Sequence, residues 1–183
     1  MKLSPLALVF TLALGAGSAQ AAVEVIGNSV GHECFLAARD ALLSNQAVAL
    51  CDQALADADL SRRDRAATLV NRGVLHLRRM ENDAALSDFD AAIVWQPQLA
   101  EAHVDRGAAL VMLNRSDEAV KALDQGLALK PDQPQNGHFI RAVAREKSGD
   151  VKGAYEDFRR AAELAPDWAR PQHELRRFAV RAK

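Results

Sequence analysis

Residues 66–99 read AATLVNRGVLHLRRMENDAALSDFDAAIVWQPQL, and the next 34 residues, 100–133, read AEAHVDRGAALVMLNRSDEAVKALDQGLALKPDQ. Laid over one another, and over a third frame at 135–168, they share the same landmarks. The eighth position is Gly73, Gly107 and Ala142, and the twentieth is Ala85, Ala119 and Ala154. The twenty-fourth is Phe89, Leu123 and Phe158, the twenty-seventh Ala92, Gly126 and Ala161, and the thirty-second Pro97, Pro131 and Pro166. One extra residue, near Pro134, separates the last two frames. A period of this length signals an array of stacked supersecondary units.

Each landmark has a physical role. Apolar residues at i, i+3 and i+4 make two amphipathic helices per frame. Small residues at the eighth and twentieth positions let the helices approach, and the larger residue at the twenty-fourth fills the gap between them. Proline at the thirty-second sets the turn before the next unit. Asp83, Asp117 and Asp150 fall in or beside the short inter-helix loop, where Asp suits turns and N-caps. These five landmarks in three frames resemble the tetratricopeptide repeat (TPR). The resemblance implies an all-α, right-handed solenoid of helix-turn-helix repeats, and it covers residues 66–168.

The remainder is organised around that array. A degenerate first repeat is expected over about Asn28–Asp59, within an N-terminal segment 22–65, because Ala47, Cys51, Ala54 and Leu55 fit the second-helix pattern. Its match is weaker, with Phe35 at the eighth position, no closing proline, and Ser61–Asp64 read as a short insertion. Residues 169–183 form a capping helix, with Leu175, Phe178, Ala179 and Ala182 on one face and Arg170, Arg176, Arg177, Arg181 and Lys183 on the other. Residues 1–21 read as an export signal: Lys2, the apolar run Leu6–Ala16, then Ala19-Gln20-Ala21 as a small-x-small cleavage site. Cleavage would leave Ala22 first and take the formal charge from -1 to -2 by removing Lys2. The expected location is the periplasm, with secretion as the alternative.

Composition narrows the function. The chain is 49% hydrophobic, 26% charged and only 5% aromatic, a globular composition whose apolar share is mostly Ala and Leu. A net charge of -1 argues against nucleic acid as a partner, and no apolar run reaches the roughly 20 residues that span a bilayer. The two cysteines, Cys34 and Cys51, lie on facing helices of the first hairpin. An even count in an oxidising compartment favours a disulfide, and two buried thiols are the alternative. His103 and His138, each at a fourth position, read as packing residues. Hydrolase, zincin and phosphate-loop motifs are not found, so no enzyme activity, metal or cofactor is expected. Arg72, Arg106 and Arg141 share the seventh position, and Asp88 and Asp157 the twenty-third. Arg72–Asp88 and Arg141–Asp157 are therefore expected to brace their hairpins, with Asp105 or Asp124 left for Arg106.

The resemblance implies a concave face lined by first helices that binds a partner. The residues so placed are Val70, Asn71, Val74, Glu101, Val104, Asp105, Ala108, Phe139 and Val143. Glu101 and Asp105 stand where a carboxylate clamp would need positive charge, so carboxylate recognition is not implied. An apolar strip with two acids suits an extended or helical segment carrying apolar anchors and a Lys or Arg. The alternative occupant is a segment of this chain, such as Val23–Gly31. The reading is a non-enzymatic interaction scaffold of the bacterial envelope, with another envelope protein or peptide segment as partner. A second reading is an accessory protein that uses the basic C-terminal helix on envelope polymers or a membrane surface.

Overall fold

A computed structural model describes residues 22–25 and 29–181. Residues 1–21 and the C-terminal pair Ala182 and Lys183 lie outside the described residues, and so does the signal reading. Among the described residues the chain forms helices and no strands. They are α1 (Ser29–Arg39), α2 (Asn45–Leu55), α3 (Arg62–Arg78), α4 (Asn82–Trp95), α5 (Ala100–Met112), α6 (Ser116–Ala128), α7 (Pro134–Ser148), α8 (Val151–Leu164) and α9 (Ala169–Arg181). Consecutive helices pack as antiparallel hairpins. The odd-numbered helices α1, α3, α5 and α7 also pack on one another from hairpin to hairpin. That places them on the inner side of a curved stack, where spacing is tightest.

The first helix of every hairpin ends in the same way. Ala41, Met80, Asn114 and Gly149 have φ of 57°, 64°, 59° and 91°. The next amide then reaches back five residues: Leu42 to Ala37 O, Glu81 to His76 O, Arg115 to Leu110 O and Asp150 to Arg145 O. This is the Schellman stop, in which one left-handed residue lets orphan carbonyls be satisfied. Only Gly149 adopts it without Cβ strain. Helix starts are less uniform. Ser44 and Ser61 accept from the Ala47 and Asp64 amides, and Asp150 from Gly153. Asp83 and Asp117 do not cap but sit in the first turns of α4 and α6, where a negative charge suits the helix dipole. The stretch 61–64 is helical: Ser61 is the N-cap of α3 and residues 62–64 begin an extra first turn, which makes α3 17 residues long against 13 in α5.

The Ala41 stop also corrects the register of the first repeat. Counting back from it puts Cys34, not Phe35, at the eighth position, because one more residue separates the Ala41 stop from Cys51 than separates the other stops from Phe89, Leu123 and Phe158. In α3 and α5 the eighth position is a glycine lying directly under the twenty-fourth residue. A Cβ on Gly73 would come within 2.6 Å of Phe89, and one on Gly107 within 2.4 Å of Leu123. In the first hairpin those two positions are Cys34 and Cys51, joined as a disulfide with Cα atoms 4.9 Å apart and both residues fully buried.

The seventh-position arginines form a ladder along the stack. Arg72 donates through Nε and Nη2 to Asp88 (2.9 and 2.6 Å) and through Nη1 to Asp52 of the preceding hairpin (2.7 Å). Arg141 repeats this with Asp157 (2.8 and 2.7 Å) and Asp124 (2.7 Å). Where Ala122 removes the within-hairpin acid, Arg106 reaches back only to Asp90 (2.6 Å), rather than to Asp105 or Asp124. Each arginine thus ties its own hairpin to the one before it, and the second tie uses the twenty-fifth position of the earlier repeat. His138 belongs to this network: its Nδ1 lies 2.9 Å from Asp157 Oδ1, so it braces charge rather than filling apolar space. His103 is buried, with Nε2 2.9 Å from the Pro97 carbonyl.

The last hairpin is closed by α9. Trp168, Leu175 and Phe178 pack onto a cluster formed by Phe139, Ala142, Ala154, Phe158 and Ala161. The Phe139 ring centroid lies 4.9 Å from that of Trp168 and 5.4 Å from that of Phe158. The side chain of Ala179 lies outside the described part of α9, whereas Leu175 and Phe178 supply the expected apolar face.

Candidate functional site: the inner groove and the segment that occupies it

The inner surface is built from the sixth positions of successive first helices, which point along one row: Asn71 on α3, Asp105 on α5 and Ile140 on α7. Asn71 already has an occupant. Its Nδ2 donates to the carbonyl of Val23, and its Oδ1 accepts from the Val23 amide, both at 2.8 Å. A side-chain amide used in this way satisfies both main-chain groups of one residue in an extended chain. It reads the backbone and ignores the side chain. Val25, two residues on, is 2% exposed, while Ala22 and Val23 pack against the main core. The alternation of buried Val25 and half-buried Val23 with exposed Glu24 is that of a half-buried extended strand. The alternative occupant, a segment of this chain, is thus present at residues 22–25. Residues 26–28 are outside the described part, and Gly31 is inside α1.

The nine residues placed on the concave face by sequence separate into three groups. Val70, Asn71 and Val74 have no exposed surface. They lie beneath the chain's own packing and offer nothing to a partner in this state. Val104 and Phe139 each pack into a seam between helices. Val104 Cγ2 would lie 2.7 Å from a Cβ on Gly126 of α6, and Phe139 belongs to the aromatic cluster under α9. The fifth position sits where neighbouring repeats meet, so a large apolar side chain there packs sideways. Ala108 is 7% exposed, while Glu101 and Val143 are half-buried. Glu101 Oε1 accepts the Asp132 amide at 3.2 Å.

Asp105 is the anomalous member. It is 2% exposed, and its Oδ2 is buried with no hydrogen-bond partner. Burial, reinforced by the Glu101 charge one turn earlier and only partly offset by Arg78, holds its carboxyl well above the usual carboxylate range. Arg78 is engaged elsewhere: its Nη1 donates to the carbonyl of Ala38 at the end of α1. Sequence had placed Asp105 on the inner face as a recognition charge, but not as a buried carboxylate lacking a partner.

Among the described residues no three His, Cys, Asp or Glu side chains converge as metal ligands. No described helix is long and apolar enough to cross a membrane. Of the basic residues on α9, Arg177 is paired with Glu146 and Glu174, each at 2.7 Å, and Arg170 lies over the Phe139 ring.

No protein-family model matches the chain, and no curated protein matches it in sequence. Solved structures do match in fold. MamA (residues 41 to the end) from Desulfovibrio magneticus RS-1 superposes with a TM-score of 0.68 at 15% identity, over 85% of this chain and 86% of that one. The first TPR domain of Spaghetti (RPAP3) bound to the HSP90 peptide SRMEEVD gives 0.62 at 20% identity, over 66% and 94%. The Arabidopsis OM64 TPR domain gives 0.61 at 20%, over 64% and 96%. The fold of this chain is therefore the all-α solenoid of tetratricopeptide repeats.

Proposed function

We propose that this protein is a non-enzymatic interaction scaffold of the bacterial envelope that holds an extended segment of a partner protein along its inner groove. The observation that carries the reading is the double hydrogen bond between Asn71 and the Val23 backbone. Through it the groove holds a strand by main-chain bonds and leaves specificity to neighbouring side chains. A structurally similar TPR domain was solved with a peptide of HSP90 bound, which supports a peptide as the kind of ligand this fold accepts. The envelope part rests on the signal-like residues 1–21 and on the Cys34–Cys51 disulfide, which suits an oxidising compartment. A partner segment would have to displace residues 22–25 or continue from them across α5 and α7. There Glu101 and Asp105 favour a cationic group. The basic C-terminal helix is not favoured as a polymer or membrane site, because Arg170 and Arg177 are engaged within the protein.

The test uses the groove's own occupant as a probe. A synthetic peptide of residues 22–28 should bind a chain beginning at Ser29, measured by calorimetry, and Asn71→Ala should weaken that binding at least tenfold. An envelope protein captured by the chain beginning at Ser29, and competed off by the same peptide, would be the partner. Failure of the peptide to bind a folded chain, as judged by circular dichroism, would remove the groove reading.

A further inference from the structure

Asp105 is a buried carboxylate without a hydrogen-bond partner, one register step along the inner row from the residue that grips the N-terminal segment. A native fold rarely leaves such a group unsatisfied. We infer that Asp105 receives the α-ammonium group of Ala22 once the chain is processed, so that cleavage itself fastens the N-terminal segment into the groove. The inference rests on cleavage before Ala22.

The placement follows from chain direction. The segment leads into α1, which packs on α3, and α3 packs on α5. An extended strand held at Val23 by Asn71 therefore runs away from α1 with its N-terminal end toward α5, the helix that carries Asp105. Neighbouring helix axes are about 8–10 Å apart. The Ala22 nitrogen is one residue, roughly 3.5 Å of extended chain, before Val23, and on this inference the Asp105 side chain reaches across the remainder of that gap. Ala22 is itself partly buried against the same core.

The chemistry changes at the moment of cleavage. In the precursor the Ala22 nitrogen belongs to the Ala21–Ala22 peptide amide, which has one N–H and no net charge. Hydrolysis adds water across that bond and leaves a carboxylate on the departing Ala21 and an ammonium with three donors on Ala22. The charges near the site are Glu101, Asp105 and Arg78, and Arg78 is turned to the Ala38 carbonyl. A new cation here meets two acids, Glu101 and Asp105, with Arg78 turned away, and favours the ionised form of Asp105 by giving it the charge-assisted partner it lacks. The acids placed in the groove then serve the chain's own terminus first, and a partner's Lys or Arg must compete with it.

The full-length precursor, exported in a Gram-negative host, should yield a chain whose intact mass begins at Ala22. Any other start would overturn the inference while leaving the groove test above intact. With that start shown, acylation of the Ala22 α-amine at neutral pH should be at least tenfold slower in the wild-type chain than in Asp105→Asn, which keeps the shape and removes the charge. A chain with one glycine inserted before Ala22 should label as fast as Asp105→Asn. The same substitution should lower the melting temperature of the chain that starts at Ala22 and raise it in the glycine-extended chain, where the carboxylate is again unpaired. Equal labelling in wild type and Asp105→Asn, or an equal thermal shift in both chains, would overturn the assignment.

Discussion

In the α3–α4 hairpin the two helices meet where Gly73 lies under the ring of Phe89. In the α1–α2 hairpin the corresponding positions are Cys34 and Cys51, joined covalently. The first solution is shape, a backbone without a side chain so that a large ring can lie flat against it. The second is a bond between two small residues with no ring to bury. The difference follows from position in the stack. Phe89 is fully buried in a hairpin with neighbours on both sides, α2 before it and α5 after it. The first hairpin has a neighbouring hairpin on one side only, with a shorter pair of helices and an exposed loop at Leu42 and Leu43. A repeat array is stable through its nearest neighbours, so the terminal unit is the weakest. A disulfide there compensates for missing burial.

The largest expected effect breaks the shape solution. Phe89→Ala should cost about 3–5 kcal/mol by urea denaturation, the range for emptying a fully buried aromatic site. It should loosen the central repeats rather than the ends. If the cost were below that of an exposed substitution such as Val94→Ala, the twenty-fourth position would not be the keystone of the hairpin.

Breaking the covalent solution should cost somewhat less and act more locally. The pair Cys34→Ala with Cys51→Ala opens a loop of 17 residues, worth about 3 kcal/mol in the chain-entropy description. Hydrogen exchange should then show α1 and α2 losing protection while α5 to α8 keep theirs. Loss of protection across all hairpins would mean that the stack unfolds as one unit and that the comparison of ends with middle does not hold.

The two hairpins were not equally legible in sequence. The recurrence of Gly73 with Phe89 and Gly107 with Leu123 at fixed spacing exposed the inner repeats, because contact between complementary shapes repeats as letters. The first repeat was visible only through Ala47, Cys51 and Ala54, and its first helix was read one residue out of register. One more residue between the stop and the second-helix position shifts the spacing from 16 to 17, and a backbone stop at Ala41 leaves no letter such as glycine to mark it. The groove was legible as a face and less so as a site. Residue types placed Asn71 and Asp105 on it, but the clamp on Val23 depends on where a segment some 48 residues earlier lies. For Val104 and Phe139, position within a repeat says which way the Cα faces and not how the side chain packs. Which seam the side chain then fills is decided by Gly126 and Trp168, far off in sequence.

The ion-pair ladder sharpens the same contrast between hairpins, since one rung lacks its inner acid. Asp157 is 3% exposed. Burial alone would raise its pKa, but hydrogen bonds from Arg141 and His138, with the charges of Arg141 and Arg145, outweigh that and hold it below the ordinary carboxylate value. A carboxyl depressed in the folded state contributes stability that is present above its unfolded pKa, about 3.9, and is lost as pH falls through the lower folded value. Asp157→Asn should therefore cost about 2 kcal/mol at neutral pH, the scale of a charged hydrogen-bond partner removed. The gap between variant and wild type should narrow as the pH is lowered from 5 toward 2. A gap that stays constant over that range would mean that Asp157 acts by shape and not by charge.

The smallest effect belongs to the incomplete rung. Arg106 holds only Asp90, whose side chain is 52% exposed, because Ala122 stands where the neighbouring repeats have Asp88 and Asp157. An ion pair with one partner in solvent is worth at most about 1 kcal/mol, so Arg106→Ala should fall within that limit. Ala122→Asp supplies the missing acid at a fully buried position, and its outcome depends on the arginine. With Arg106 present the new carboxylate finds the bidentate partner that Asp88 finds in Arg72. With Arg106→Ala it is a buried charge alone, which costs about 3–5 kcal/mol. The double-mutant cycle should therefore show a coupling of at least about 2 kcal/mol between positions 106 and 122, the excess of that cost over the roughly 1 kcal/mol of an exposed pair. Additive effects would mean that the seventh and twenty-third positions brace Arg72 and Arg141 only in their particular surroundings and do not form a general rung of the stack.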